Sequence, residues 1–173
     1  MTHDEILKRL RSKGIEPTDL PRRLGNRLLV QVYTPSAYHT YVTASGKPAF
    51  KRHFSDVSYF VDINGRHVAA ANQVSKGYHI DEWGHKVYRG PTFIKVGDFD
   101  EVEPGLFLAP VRDIGVVGDK YLREYHINIT GKAHYAERFE RVHPFRTFRT
   151  AGRVAEVHRG GEFFHINTKG QRV

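Results

Sequence analysis

A seven-residue segment that ends in glycine recurs along the chain, and this recurrence constrains the fold more than any other feature. Residues 78–84 read YHIDEWG, residues 125–131 read YHINITG and residues 164–170 read FHINTKG. Residues 40–46 (TYVTASG) form a looser copy that keeps the aliphatic residue four positions before the glycine. We call the final glycines the anchor glycines: Gly46, Gly84, Gly131 and Gly170. Self-similarity at intervals of 38 to 47 residues is typical of repeat proteins.

Apolar residues follow the anchor glycines in the same order each time. They are Phe54, Val57 and Phe60 in the first unit, Phe93, Val96 and Phe99 in the second, and Phe139, Val142 and Phe145 in the third. Each unit then closes on a glycine followed by strand-like residues, at 65–69, 105–111 and 152–157. The additional residues of the middle unit fall at 114–119, where we expect a longer hairpin or loop.

The chemistry of the recurring segment predicts β-hairpins. Side chains alternate along a strand, so the aromatic ring and the Ile share one face while the His and the Asp or Asn share the other. The Asp or Asn precedes a glycine that can adopt positive φ, as a tight hairpin turn requires. Because a unit of two hairpins cannot bury its apolar face alone, neighbouring units must stack. We therefore predict an all-β fold, an array of three to four β-hairpin repeats at 40–77, 78–124, 125–163 and a half unit at 164–173.

The N-terminal segment predicts one α-helix. Thr2 and Glu5 have the spacing of a capping box, Ile6 and Leu10 fall on one face, and Gly14 is placed to end the helix. We assign residues 1–26 to an N-terminal helical cap and residues 27–173 to the β-hairpin repeat domain. A helix at this place would cover an otherwise open end of the array.

The order of these residues resembles the bacterial WG-repeat (KWG-repeat) family over about residues 40–173. The resemblance is carried by an aromatic-x-Ile-Asp/Asn-x-x-Gly segment, then Phe-x-x-Val, then Phe, then a glycine and a strand, and it is best over 125–170. The family's Trp-Gly dipeptide is replaced by Gly77-Tyr78, Glu124-Tyr125 and Phe163-Phe164. The resemblance implies an all-β array used for binding or as an accessory module, and it supplies no catalytic residues.

Composition excludes several classes of site. The chain has no cysteine, which excludes disulfide frameworks and cysteine-ligated metals. It has no Gly-x-Ser-x-Gly elbow and no P-loop, so the sequence gives no positive sign of an enzyme, and we expect no cofactor. It also has no long apolar run and no secretion signal, so we expect a cytoplasmic protein without membrane association.

The cationic residues favour an anionic partner. The net charge is +8, and residues 120–173 hold 11 Lys and Arg against 5 Asp and Glu. Interleaved aromatics in this segment, Phe139, Phe145 and Phe148, match core positions of the repeat and are expected to be buried. Trp83 follows the Ile-Asp pair at a hairpin tip, where we expect it to be exposed. The candidate binding residues are Arg138, Arg141, Arg146, Arg149 and Trp83, with the equivalent histidines His79, His126 and His165 as a second set.

The histidine row has two interpretations. Stacked repeats could align the three side chains for metal or phosphate binding, but a spacing of about 4.7 Å or more between strands keeps equivalent atoms apart. We therefore expect no metal site and favour half-buried histidines that bond to turn carbonyls or to a neighbouring Asp.

These observations lead to one functional hypothesis and two alternatives. The leading hypothesis is a non-catalytic binding or interaction module that presents a basic, aromatic-bearing face to a protein or a small anionic ligand. The first alternative is a protein that binds RNA or single-stranded DNA, in which arginines contact phosphates and aromatic rings stack on bases. The second is a small hydrolase or transferase without a local motif.

Overall fold

The structure is a computed structural model that describes residues 1–113, 123–149 and 152–173. The loop predicted at 114–119 lies outside these residues. The described chain has one N-terminal helix followed by antiparallel β-hairpins, which confirms the predicted all-β class. Contacts divide it into two compact units: unit 1 comprises Met1–Val74 with His79–Lys86, and unit 2 comprises Ser75–Tyr78 with Val87–Val173.

The helix and strands occur in the following order. The first elements are α1 (His3–Arg11), β1 (Glu16–Pro17), β2 (Arg22–Leu24), β3 (Arg27–Thr34), β4 (Ala37–Thr43), β5 (Asp56–Val57), β6 (Val61–Ile63) and β7 (Arg66–Asn72). They are followed by β8 (Gly77–Asp81), β9 (Lys95–Val96), β10 (Asp100–Glu103), β11 (Leu106–Arg112), β12 (Glu124–Asn128), β13 (Arg141–Val142), β14 (Arg146–Phe148), β15 (Gly152–Arg159) and β16 (Glu162–Ile166). The described helix is too short and too polar to cross a membrane.

Helix α1 begins at the predicted capping box. The Glu5 N–H donates to the Thr2 hydroxyl at 3.3 Å, and the Thr2 N–H donates to the Glu5 carboxylate at 2.7 Å. The buried side chains Ile6 and Leu10 then pack against Val30, Val32 and Val42 of the first hairpin. The helix is therefore held both by its own cap and by an apolar contact with β3 and β4.

The sequence repeat is a repeat of secondary structure. The sets β4–β7, β8–β11 and β12–β15 each have a first strand of five to seven residues, a two-residue strand, a strand of three or four, and a final strand of seven or eight. In each set the two short strands pair antiparallel with the long final strand. In unit 2 the long strand also pairs with the first strand of the next set, β11 with β12 and β15 with β16. Equivalent sequence positions thus adopt equivalent conformations.

The hairpin turns after β8, β12 and β16 have the predicted chemistry. After β12, the Gly131 N–H donates to the Asn128 carbonyl at 2.9 Å and the Asn128 N–H donates to the Lys132 carbonyl at 2.9 Å. The Asn128 side chain also accepts the N–H of Thr130 at 3.0 Å. Gly131 has φ +78°, a conformation that L side chains rarely adopt. The same bonds recur at Asp81 and Asn167, which explains why an Asp or Asn precedes these glycines.

Aromatic rings pack directly against the anchor glycines. A Cβ atom at Gly131 would lie 2.5 Å from Cδ2 of Tyr88, and one at Gly170 would lie 2.8 Å from Cγ of Tyr135. Each ring comes four residues after the preceding anchor glycine, and Phe50 stands in the same relation to Gly84. At Gly46 the neighbours are instead Ile15 and Leu10, from the helical segment. The N-terminal segment therefore takes the place that a preceding repeat would occupy.

Candidate functional site

Arg138 stabilises a turn of the protein itself. Its Nη1 donates to the carbonyl oxygens of Tyr135, Ala136 and Glu137 at 3.0 to 3.2 Å. Its guanidinium carbon lies 3.6 Å from the centre of the Tyr125 ring, which is a cation–π contact. These contacts occupy the side chain, so the structure gives this predicted binding residue a structural role.

His126 is fully buried, which corrects the expectation of a half-buried histidine. Its Nε2 lies 3.1 Å from the His143 carbonyl oxygen and therefore carries the proton. Its Nδ1, 2.5 Å from the Tyr135 hydroxyl, then accepts a hydrogen bond from that group. Burial lowers the pKa of His126 to about 3, against a smaller opposing effect of the His143 carbonyl, so the ring is neutral at pH 7.

The histidine row does not form one exposed surface. His79 is fully buried like His126, so neither ring offers surface to a partner. His165 is half-buried, and its ring centre lies 5.4 Å from that of Phe148 in an edge-to-face contact. Among residues 1–113, 123–149 and 152–173 no cluster of His, Asp and Glu is arranged to hold a metal ion. Of the three histidines, His165 alone remains a candidate for direct contact.

Trp83 is 49% exposed, as predicted for a ring at a hairpin tip. The Arg27 guanidinium carbon lies 4.7 Å from the Trp83 ring centre, and Arg27 also donates to the carbonyl oxygens of Glu82 and Ala49. Trp83 belongs to unit 1, whereas the four candidate arginines belong to unit 2. The predicted set is therefore divided between the units.

A cationic cleft of about 280 Å³ in unit 2 contains Arg141, and we call it the Arg141 cleft. Strand pairing positions its lining. Lys95 of β9 lies opposite Arg112 of β11, and Arg112 lies opposite Glu124 of β12. Arg141 begins β13, and His143 follows that strand at the rim of the cleft. Three cations and one carboxylate thus line a single concave surface.

The carboxylate in this cleft is already satisfied. Glu124 is buried, and its Oε1 accepts from Arg112 Nε at 2.7 Å and from Nη2 at 2.5 Å. Its Oε2 accepts the Val142 N–H at 2.8 Å. Lys95 and Arg141 are exposed, and neither forms an ion pair with any carboxylate in the part of the chain that the structure describes. Their positive charges are therefore available to an external anion.

A second cleft, of about 210 Å³, is also lined by His143, and we call it the Phe148 cleft. Its lining combines apolar and polar groups: His143, Pro144, Arg146, Phe148, Val154, Glu156 and His165. The Nε2 atom of His143 lies 3.9 Å from a Glu156 carboxylate oxygen. Because His143 lines both clefts, they are adjacent to each other at that residue.

The structure brings together some predicted residues and adds others. Arg141 lies in the first cleft, and Arg146 and His165 lie in the second, while Arg149 is exposed just after β14. Phe139 and Phe145 are buried as expected, but the expectation is wrong for Phe148, which is 43% exposed. The residues that sequence reasoning missed are Lys95, Arg112, His143 and Glu124. Lys95 and Arg141 each precede the repeat valine, Val96 or Val142, and this shared offset could have identified Lys95.

Comparisons with known proteins identify no relative. No family model matches the chain, and no curated protein or solved structure resembles it significantly. The functional argument therefore depends on the geometry of the two clefts.

Proposed function

We propose that this protein is a non-catalytic binding module. Its compact unit 2 (Ser75–Tyr78 with Val87–Val173) binds an anionic group, a phosphate or a carboxylate, in the Arg141 cleft. The observation that carries the proposal is the presence of Lys95 and Arg141, both without a carboxylate partner in the described chain, on one concave surface. The anion is presented by a small ligand or by an acidic partner. The resemblance to bacterial WG-repeat modules, and the cytoplasmic location expected from the sequence, belong to the same proposal.

The balance of charge in the cleft favours an anion. Arg112 is paired with Glu124, and this pair leaves the charges of Lys95 and Arg141 uncompensated. A guanidinium can bind phosphate or carboxylate oxygens with two parallel hydrogen bonds, while a lysine ammonium acts as a point charge. The concave shape also reduces exposure of a bound ion to water, which strengthens each charge interaction.

Isothermal titration with inorganic pyrophosphate tests this proposal. We expect saturable binding by the wild-type protein and a loss of about tenfold or more in affinity in Arg141→Gln, because a charged hydrogen bond contributes about 1.5 to 3 kcal/mol. Lys95→Gln should weaken binding in the same direction. The matched control is Arg159→Gln, which removes the same charge from an exposed position of unit 2 that lines neither cleft.

The salt dependence of binding provides a second readout. Affinity should fall as ionic strength rises, and Arg141→Gln should reduce that dependence more than the control variant does. Equal losses in Arg141→Gln and Arg159→Gln would show that general charge attracts the anion, and the cleft would then not be the site.

A further inference from the structure

We propose that the two clefts together bind one nucleotide unit, with the base against Phe148 and the phosphate between Lys95 and Arg141. This inference rests on the proposed function and specifies its ligand class. It joins two observations: a cationic cleft, and an exposed aromatic ring in the cleft beside it.

The exposure of Phe148 departs from the pattern of the repeat. Phe148 ends β14. The equivalent residue in the first sequence repeat, Ile63, ends β6 and is buried. A phenylalanine that is 43% exposed leaves apolar surface in water that a ligand can cover. This exposed ring forms one wall of the Phe148 cleft.

The other walls of the Phe148 cleft suit a planar heterocycle. Pro144 and Val154 are apolar, and His165 is a second ring beside Phe148. Nucleic-acid bases stack on aromatic side chains and on guanidinium planes, and Arg146 supplies the latter. Glu156 provides a carboxylate that can accept a hydrogen bond from an exocyclic amino group.

The adjacency of the clefts points to a single ligand with both groups. His143 lines both clefts, so a base in one and a phosphate in the other would both lie beside this residue. A sugar joins a base and a phosphate in this way. Binding of one group raises the effective concentration of the other, so the whole nucleotide should bind more tightly than either part alone.

The test is a titration with three probes: adenosine 5′-monophosphate, adenosine and inorganic phosphate. The nucleotide should bind most tightly. Phe148→Ala should lower the affinity for nucleotide and nucleoside by about fivefold or more and leave phosphate binding unchanged, since stacking contributes little to a free anion. Arg141→Gln should weaken binding of nucleotide and phosphate and leave nucleoside binding unchanged.

Two matched controls accompany these variants. Phe163→Ala removes a ring that is 62% exposed in the same unit and lines neither cleft, and Arg159→Gln removes a distant charge. Both should bind all three probes like the wild-type protein. A thermal melt of each variant confirms that it is folded.

The outcomes separate this inference from the proposed function. If phosphate binds in an Arg141-dependent way but the nucleotide gains nothing over phosphate, the nucleotide assignment is overturned and the proposed function stands. If no probe binds and pyrophosphate also fails, both are overturned. A short single-stranded oligoadenylate identifies the source of the unit: much tighter, steeply salt-dependent binding than that of the mononucleotide supports a strand, and equal binding supports a free nucleotide.

Discussion

Replacing an anchor glycine with alanine tests how the repeat units hold together. In Gly131→Ala the residue must keep φ +78°, which costs roughly 1 to 2 kcal/mol for an L side chain. Its Cβ would also lie 2.5 Å from Cδ2 of Tyr88, whose ring is buried and cannot withdraw freely. Overpacking of this kind costs about 1 to 3 kcal/mol more. The free energy of unfolding should therefore fall by about 2 to 5 kcal/mol.

Gly105→Ala is the matched control for this substitution. Gly105 has φ +76° and lies in unit 2, but a Cβ atom there would have no atom within 4 Å. This variant carries the conformational cost alone, about 1 to 2 kcal/mol. The assay is urea denaturation of both variants and the wild-type protein, with the midpoint and the slope compared.

A double variant isolates the contact between ring and glycine. In Tyr88→Ala/Gly131→Ala the clash is absent, so the two changes together should cost at least 1 kcal/mol less than the sum of the single changes. Equal destabilisation by Gly131→Ala and Gly105→Ala, with additive behaviour of the double variant, would refute the argument that the Tyr88 ring packs tightly against Gly131.

Three further predictions concern the buried histidine, the buried carboxylate and the helix cap. Burial lowers the pKa of His126 to about 3, so between that pH and 6.5 the unfolded chain binds a proton that the folded chain does not. The free energy of unfolding should therefore fall as pH decreases through this window, by up to about 1.4 kcal/mol per pH unit. Urea denaturation at several pH values should show that His126→Gln removes this contribution. Glu124→Gln should lower the free energy of unfolding by about 1 to 3 kcal/mol because it breaks the ion pair with Arg112. The same variant should show a higher pyrophosphate affinity in calorimetry because it removes a negative charge from the Arg141 cleft. Thr2→Ala should cost about 1 kcal/mol in urea denaturation through loss of the capping box, and an undiminished stability would contradict the role given to the cap.

The hairpin array could be predicted because its determinants are local. An Asp or Asn followed three residues later by glycine forms the turn through bonds within five residues, and those residues recur in the sequence. The helix cap is local in the same way, since Thr2 and Glu5 bond to each other. Local chemistry of this kind is visible without knowledge of the tertiary fold.

The clefts could not be predicted because they depend on which strands lie side by side. Lys95 and Arg141 are in different repeats, and the pairing of β9 and β12 with β11 helps to form the cleft that contains both. The exposure of Phe148 was missed for a related reason. Its place in the repeat is that of Ile63, which is buried, and the repeat pattern alone does not reveal that Phe148 is 43% exposed.

The histidine row shows a different limit of sequence reasoning. The sequence repeat places His79, His126 and His165 at equivalent positions. Strand alternation alone does not predict which side chains pack over the histidine face of the strand. In the third sequence repeat, Tyr135 and Phe145 pack against His126, which is fully buried. Alternation therefore predicts the face on which a side chain lies, and tertiary packing decides whether that face meets water.

Backbone NMR during a titration with inorganic pyrophosphate tests the central claim most directly. If the Arg141 cleft holds the anion, the amide resonances of Lys95, Arg141, Val142 and His143 should shift together with one dissociation constant, and Arg141→Gln should raise that constant by about tenfold or more. Shifts confined to other surfaces, or an unchanged dissociation constant in that variant, would contradict the assignment of this cleft as the binding site.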